Sequence, residues 1–208
     1  MTQHLDRRTW LRLGTILPGA VALLAAPASA APDAACEPTR RDNKGPFHIA
    51  GAPRRTVIAA ANEPGERLRI QGRVFGADCK TPLAGALVDV WQADASGEYH
   101  GRGEDFRLRG QILTNAKGEY ELETVRPGRY QMGGDLRPAH IHFTVSSPEH
   151  EPITTQLYFA GDPKLGANDP CGSACDSNDP RRIIRPAKEG SALPTGRFDF
   201  ILKPARET

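Results

Sequence analysis

From residue 69 to residue 202, apolar and polar residues alternate in short bursts separated by turn-forming residues. Successive side chains of a strand face opposite sides, so this alternation marks half-buried β-strands. Residues 69–75 set Ile70 and Val74 against Arg69, Gln71 and Arg73, and residues 86–91 set Leu87 opposite Val88 and Val90. Residues 120–125, 141–145 and 197–202 alternate in the same way, and 110–114 form a short apolar run. Turn residues fall between them: Asp78-Cys79-Lys80, Ala95-Ser96-Gly97, Asn115-Ala116-Lys117-Gly118 and Arg126-Pro127-Gly128. Strands at this spacing, with no convincing amphipathic helix, predict an all-β fold: an antiparallel β-sandwich core with long connecting loops.

Two stretches escape the pattern. Residues 31–65 are rich in Pro, Ala and Arg and weakly periodic, which predicts an extended N-terminal arm leading into a sandwich over 66–208. Residues 161–191 carry many Gly, Pro, Asp and Asn. A loop that long in a compact domain is usually functional or pinned, and this one contains Cys171 and Cys175.

Residues 1–30 read differently again. Arg7-Arg8-Thr9-Trp10-Leu11-Arg12 precedes an uncharged run that ends in Ala28-Ser29-Ala30, the layout of a signal peptide. The adjacent arginines followed by bulky apolar residues fit a twin-arginine export signal, so a periplasmic or secreted location is expected. Pro18 and Pro27 interrupt the run, which argues against a stable membrane span.

The charge balance follows from that assignment. The 208 residues hold 27 Lys and Arg against 25 Asp and Glu. Arg7, Arg8 and Arg12 against Asp6 account for the excess, leaving 24 of each sign beyond residue 30. A neutral domain gives no electrostatic case for nucleic acid. Export makes disulfides the expected state of Cys36, Cys79, Cys171 and Cys175, and four cysteines allow three connectivities. A Cys171–Cys175 bond would close a tight loop, and Cys36–Cys79 would tie the arm to the sandwich; the pattern does not choose.

The densest chemistry is Arg137-Pro138-Ala139-His140-Ile141-His142-Phe143. On a strand, His140 and His142 share one face while Ile141 and Phe143 face the other layer. Neutral imidazole is the commonest nitrogen ligand for metals, so the pair is half of a metal site. Tyr99 and Tyr130 each follow a strand and a turn, where loops rise from a scaffold. Tyr120 and Tyr158 fall inside strands and read as packing residues.

With these residues in place, the stretch from residue 72 to residue 162 resembles the catalytic core of the intradiol ring-cleavage dioxygenases, the family of protocatechuate 3,4-dioxygenase and catechol 1,2-dioxygenase. The matching pieces run from Pro82-Leu83-Ala84-Gly85-Ala86-Leu87-Val88-Asp89-Val90-Trp91-Gln92 through Gly97-Glu98-Tyr99, Leu108-Arg109-Gly110 and Pro127-Gly128-Arg129-Tyr130. They continue through the Arg137 to Phe143 run and Thr155-Gln156-Leu157-Tyr158-Phe159. One departure concerns the loop after Tyr130, where Gln131-Met132 stand in place of the Pro-Trp pair of protocatechuate enzymes and a Gly133-Gly134 pair shortens the path to Arg137.

The resemblance implies one non-haem Fe(III) per chain, held by Tyr99, Tyr130, His140 and His142. It implies a small catecholic substrate and O2, with the ring opened between its hydroxylated carbons to a cis,cis-muconate-type dicarboxylate. Tyr130 corresponds to the tyrosinate that gives way to substrate, Arg137 to the arginine that stabilises negative charge on the ring, and Gln156 to a polar pocket residue. The combination of signal segment and cysteines looks like the exported single-chain members. A transthyretin-like extracytoplasmic binding module shares the early strand pattern, but it has no need of two tyrosines and two histidines at this spacing. Oligomeric state is open.

Overall fold

The computed structural model describes residues 36–101 and 106–206. The expected signal segment lies outside the described residues. Eleven strands are present among them: β1 (Arg67–Phe75), β2 (Leu87–Gln92), β3 (Arg109–Leu113), β4 (Glu119–Val125), β5 (Gln131–Met132), β6 (Asp135–Leu136), β7 (His140–Ser146), β8 (Ile153–Phe159), β9 (Ile183–Ile184), β10 (Thr195–Arg197) and β11 (Phe200–Ile201). One sheet pairs β4 with β1 and lays β10 and β11 along the other edge of β1; the second runs β3-β2-β7-β8-β9. The long pairs β1–β4, β2–β3, β2–β7 and β7–β8 are antiparallel, as expected of the sandwich core. The short rim strands are parallel to their neighbours, β10 and β11 on β1 and β9 on β8.

The alternation does its work in β1, where Leu68, Ile70 and Val74 turn inward. They meet Leu122 of β4 and Phe198 and Phe200 in one core with Val88, Val90, Ile141, Phe143, Val145, Leu157 and Phe159 of the facing sheet. Side chains of this size each stabilise the fold by about 2 kcal/mol when removed from water. The segment expected as a continuous strand over 197–202 divides into β10 and β11. At the break, Asp199 Oδ1 accepts the Arg73 amide of β1 at 2.8 Å, so a side chain takes a donor of the neighbouring strand.

Strand β7 departs from alternation. His140, Ile141, His142 and Phe143 are all buried, so both faces of this sheet are covered. On the outer face the cover is the arm. Its backbone joins both sheets: Arg55 N–H donates to Gln111 O and Ile58 N–H to Glu123 O, each at 3.0 Å. Asp42 N–H donates to Thr154 O at 2.9 Å, and Thr39 N–H to Ile201 O at 3.0 Å. Two disulfides resolve the open connectivity, Cys36–Cys79 and Cys171–Cys175. The first fixes the arm to the turn after β1; the second lies in the long loop, which carries 3-10 turns at Gly166–Asn168, Gly172–Ala174 and Pro180–Arg182.

Candidate metal centre

The outer face of the β2-β7-β8 sheet aligns the residues singled out above. Register places Trp91 opposite His142 and His142 opposite Gln156, with His140 opposite Tyr158. The two imidazoles lie side by side, centroids 4.8 Å apart and planes at 79°. His140 Nδ1 is 2.7 Å from the Pro138 carbonyl oxygen. A carbonyl only accepts, so this nitrogen carries the proton and Nε2 presents a lone pair, 3.2 Å from the Tyr99 hydroxyl. His142 is tethered more weakly: its buried Nδ1 makes no well-formed hydrogen bond, and the Asn43 backbone acts on the ring only weakly. Trp91 holds it instead, stacked flat against the ring at 4.8 Å and 4°.

Two loops bring the tyrosines in. Asp94 organises the first: its Oδ1 accepts from the Ser96 amide and hydroxyl and the Glu98 amide, at 2.9, 2.6 and 3.1 Å, and its Oδ2 pairs with His100 Nε2 at 2.6 Å. Burial alone would raise the Asp94 carboxyl; the bonds from Ser96, His100 and Glu98 override it and hold the group well below the usual range. The second loop, 126–130, then crosses closely. A Cβ on Gly97 would stand 2.1 Å from the Arg129 carbonyl oxygen, and one on Gly128 would stand 2.5 Å from that of Ala95. Gly97 also has φ +92°, a conformation that favours glycine. The crossing sets the Tyr99 and Tyr130 rings 5.6 Å apart.

Together these four side chains line one cavity of about 180 Å³, with Asn43, Gly45, Pro46, Phe47, Met132, Arg137 and Cys171 completing the wall. An engineered cavity of about 150 Å³ accepts benzene, so the space suits a single aromatic ring. Larger hollows of about 350 and 490 Å³ on the surface hold no such set of donors. Phe47 stacks on Tyr99 at 4.2 Å and meets Tyr130 edge-on at 5.3 Å. This arm segment is an addition to the sequence reading, because a Gly-Pro-Phe wall carries no chemistry that a composition scan detects.

The protonation states of the imidazoles suit metal ligands. Burial, then the nearby Arg137 charge, lowers the His140 pKa to about 4, and burial with His140 beside it holds His142 well below its ordinary value. Both imidazoles are therefore neutral at pH 7, the state that binds metal. Burial pushes Tyr99 above the ordinary phenol range, so only a strong positive charge at its oxygen would free the proton. Among the described residues no group of three or more His, Cys, Asp or Glu forms a metal site. The donor set is thus mixed imidazole and phenol, which fits a hard ferric ion, whereas zinc sites use thiolate, imidazole and carboxylate.

Arg137 reaches the cavity and is itself held. Its Nε and Nη2 donate to Asp169 Oδ1 and Oδ2 at 3.0 and 3.1 Å, and Nη2 also reaches Gln156 Oε1 at 3.2 Å. Burial works against the charge, but Asp169 keeps the guanidinium protonated beyond its usual range. Gln156 is buried without lining the cavity: its Nε2 donates to Asn43 O at 2.6 Å and its Oε1 lies 3.0 Å from the Tyr158 oxygen. The structure thus brings Tyr99, Tyr130, Arg137, His140 and His142 to one wall and sets Gln156 behind Arg137. Tyr158, read from sequence as packing, also donates to Asp42 Oδ2 at 2.8 Å, and Asp42 pairs with the buried Arg182.

A family model described as "Dioxygenase" matches residues 44–204. The chain is 33% identical over 184 residues to a chlorocatechol 1,2-dioxygenase of Rhodococcus opacus, covering 77% of this chain and 70% of that protein. It is 40% identical over 147 residues to catechol 1,2-dioxygenase 2 of Acinetobacter lwoffii, covering 61% and 53%. The chain thus spans about half the length of several curated relatives it matches. Among solved structures, the dioxygenase domain of a dioxygenase carbohydrate-binding protein fusion from Streptomyces sp. SirexAA-E superposes with a TM-score of 0.68 at 36% identity, covering 81% of this chain and all of that one. The 3-chlorocatechol 1,2-dioxygenase of Rhodococcus opacus 1CP gives 0.70 at 28% identity, covering 81% and 73%.

Proposed function

Because the chain belongs to the intradiol ring-cleavage dioxygenase family, we propose that it opens a catecholic ring between the two hydroxylated carbons, using O2 and a non-haem Fe(III). The observation that carries this reading is the convergence of Tyr99, Tyr130, His140 and His142 on a ring-sized cavity beside a buried arginine. Those four side chains would hold the iron. When bound, ferric iron supplies Lewis acidity and draws electron density from a coordinated catecholate, making the ring reactive toward O2.

The protein's own residues do the rest. Phe47 and Met132 wall the space beside the tyrosines and exclude water from the ring. Tyr130 and Tyr99 are both partly exposed; by its place in the family motif, Tyr130 would be the phenol that gives way and takes a catechol proton on its oxygen. Arg137 faces the cavity with its charge fixed, and stabilises negative charge as it develops on the ring. Gln156 contributes by bonding Arg137 from behind. Catechol and O2 together contain the atoms of muconic acid, so both oxygen atoms enter one dicarboxylate product.

The likeness to catechol and chlorocatechol enzymes favours a monocyclic catechol as substrate. The signal-like segment over 1–30 and the two disulfides favour a periplasmic or secreted enzyme exported through the twin-arginine route. Among the described residues no helix is long and apolar enough to cross a membrane.

The test is direct. Iron-loaded protein should be wine-red from tyrosinate-to-iron charge transfer, and should consume one O2 per catechol with formation of cis,cis-muconate. Tyr130→Phe should shift the band and slow turnover while the thermal midpoint stays close to wild type. Colourless protein with stoichiometric iron, or no O2 uptake with catechol and its chlorinated and hydroxylated forms, would overturn the reading.

A further inference from the structure

We propose that Asp169, clamped by the Cys171–Cys175 disulfide, is the positioning residue that aims Arg137 at the substrate ring. The proposal rests on the reading of Arg137 given above, and adds to it the device that holds the guanidinium.

The geometry is specific. Asp169 meets Arg137 through two near-parallel bonds, 3.0 and 3.1 Å, and both side chains are almost entirely buried, at 0% and 5% exposed. A forked carboxylate–guanidinium pair fixes the plane and direction of the guanidinium as well as its distance. The remaining acceptors on Nη2, Gln156 Oε1 and the Tyr158 hydroxyl at 3.4 Å, are neutral and reached by one nitrogen only. They can hold the group but not orient it.

Asp169 itself sits where ordinary packing gives little support. The 3-10 turns on either side, Gly166–Asn168 and Gly172–Ala174, contain no buried residue. Its place is set instead by short-range bonds. Asp169 N–H donates to Gly166 O at 3.0 Å, Gly172 N–H to Asp169 O at 2.9 Å, and Cys171 N–H to Asp169 Oδ1 at 3.0 Å. That last oxygen is the one that accepts Arg137 Nε. The disulfide then joins Cys171, on the cavity wall, to Cys175, which is buried at 1% exposed beside Gln156. One covalent link therefore closes a circuit through Cys171, Asp169, Arg137 and Gln156 back to Cys175. A bond across four residues constrains the unfolded chain much less than the Cys36–Cys79 bond across 43, so its main effect is local.

Steady-state kinetics on iron-loaded protein with catechol test the idea. Asp169→Asn should lower kcat/KM about 10- to 100-fold, and the Cys171→Ser/Cys175→Ser pair about 3- to 10-fold, with iron content and the charge-transfer band unchanged. In an Arg137→Lys background neither change should cost more than about twofold further, because the group being aimed is already gone. Losses that multiply in that background would show a general structural role and overturn the proposal. So would kcat/KM within twofold of wild type in both variants. If Asp169→Asn does not fold, the disulfide variant carries the test.

A second readout is independent of turnover. In protein loaded with diamagnetic gallium(III), the Arg137 Nε–H should give a slowly exchanging nitrogen-15 NMR signal that both variants lose. A signal that persists unchanged overturns the proposal. Loss of the signal in both variants, with a wild-type protein that cleaves no catechol, supports the positioning and removes the ring-cleavage reading alone.

Discussion

Trp91 lies flat against the imidazole of His142, ring planes within 4° and centroids 4.8 Å apart, while His142 Nδ1 makes no well-formed hydrogen bond. A metal-binding histidine is ordinarily oriented by an acceptor on its second nitrogen. On the proposed reading of His142 as a ligand, the aromatic face supplies most of that orientation, with only a weak contribution from the Asn43 backbone.

Replacing the indole should therefore loosen the ligand as well as the core. Trp91→Leu is expected to cost about 2 kcal/mol of stability from lost packing. It should also weaken iron binding roughly 10- to 100-fold, the range seen when a ligand loses its supporting partner. Trp91 Nε1 is buried without a partner, so the substitution breaks no hydrogen bond of its own. Competition with a chelator separates the affinity loss from the stability loss read by urea denaturation.

Acid should destabilise the metal-free protein in a defined window. His140 is neutral in the fold down to about pH 4, because burial and then Arg137 disfavour its charged form. In the unfolded chain it protonates near 6.5. The unfolded state thus binds the extra proton first, and stability falls as pH drops from 6.5 towards 4, by about 3 kcal/mol in total. Above 6.5 the residue contributes no slope. Urea midpoints across this range, compared between wild type and His140→Gln, should show the slope reduced in the variant.

The crossing of the two tyrosine loops should tolerate no side chain at Gly97. Gly97→Ala must adopt φ +92° and places a Cβ 2.1 Å from the Arg129 carbonyl oxygen. We expect a loss of at least about 2 kcal/mol from the backbone strain, and a weakened or shifted charge-transfer band as Tyr99 and Tyr130 move apart. Gly161→Ala has φ +83° but open space around it, and should carry strain without the spectral change.

Removing the Cys36–Cys79 bond should act on stability rather than chemistry. Closing a loop with a separation of 43 residues is worth about 4 kcal/mol in the chain-entropy view. Cys36→Ser/Cys79→Ser should lower the unfolding free energy by up to that amount and leave the visible spectrum unchanged at temperatures where the protein stays folded.

Sequence patterning exposed those strands that keep one polar face. β1 and β4 alternate because their outer side chains, such as Arg67 and Glu123, pair in solvent. β7 and β8 do not, since arm and loop cover their second face. The histidines and tyrosines stood out because few residue types perform metal chemistry. Asn43, Gly45 and Phe47 did not, because their contribution is a wall. Asp169 was equally silent: a lone carboxylate in a loop rich in Asp acquires meaning only when Arg137, 32 residues away, is seen to face it. Tyr158 is buried in its strand as expected, but nothing local announces that Asp42 waits at its hydroxyl.

The arm's path also dictates when the site can exist. Its Asn43 to Phe47 wall leaves the ribosome almost a hundred residues before His140, and its own anchor is later still. Thr39 is secured through Ile201, whose amide donates back to the Thr39 hydroxyl at 2.8 Å. Contacts this distant along the chain form slowly and late. During synthesis the arm wall therefore lacks its distant anchor until the segment through Ile201 has been made and has folded back on Thr39. On the iron reading proposed above, metal capture follows that docking.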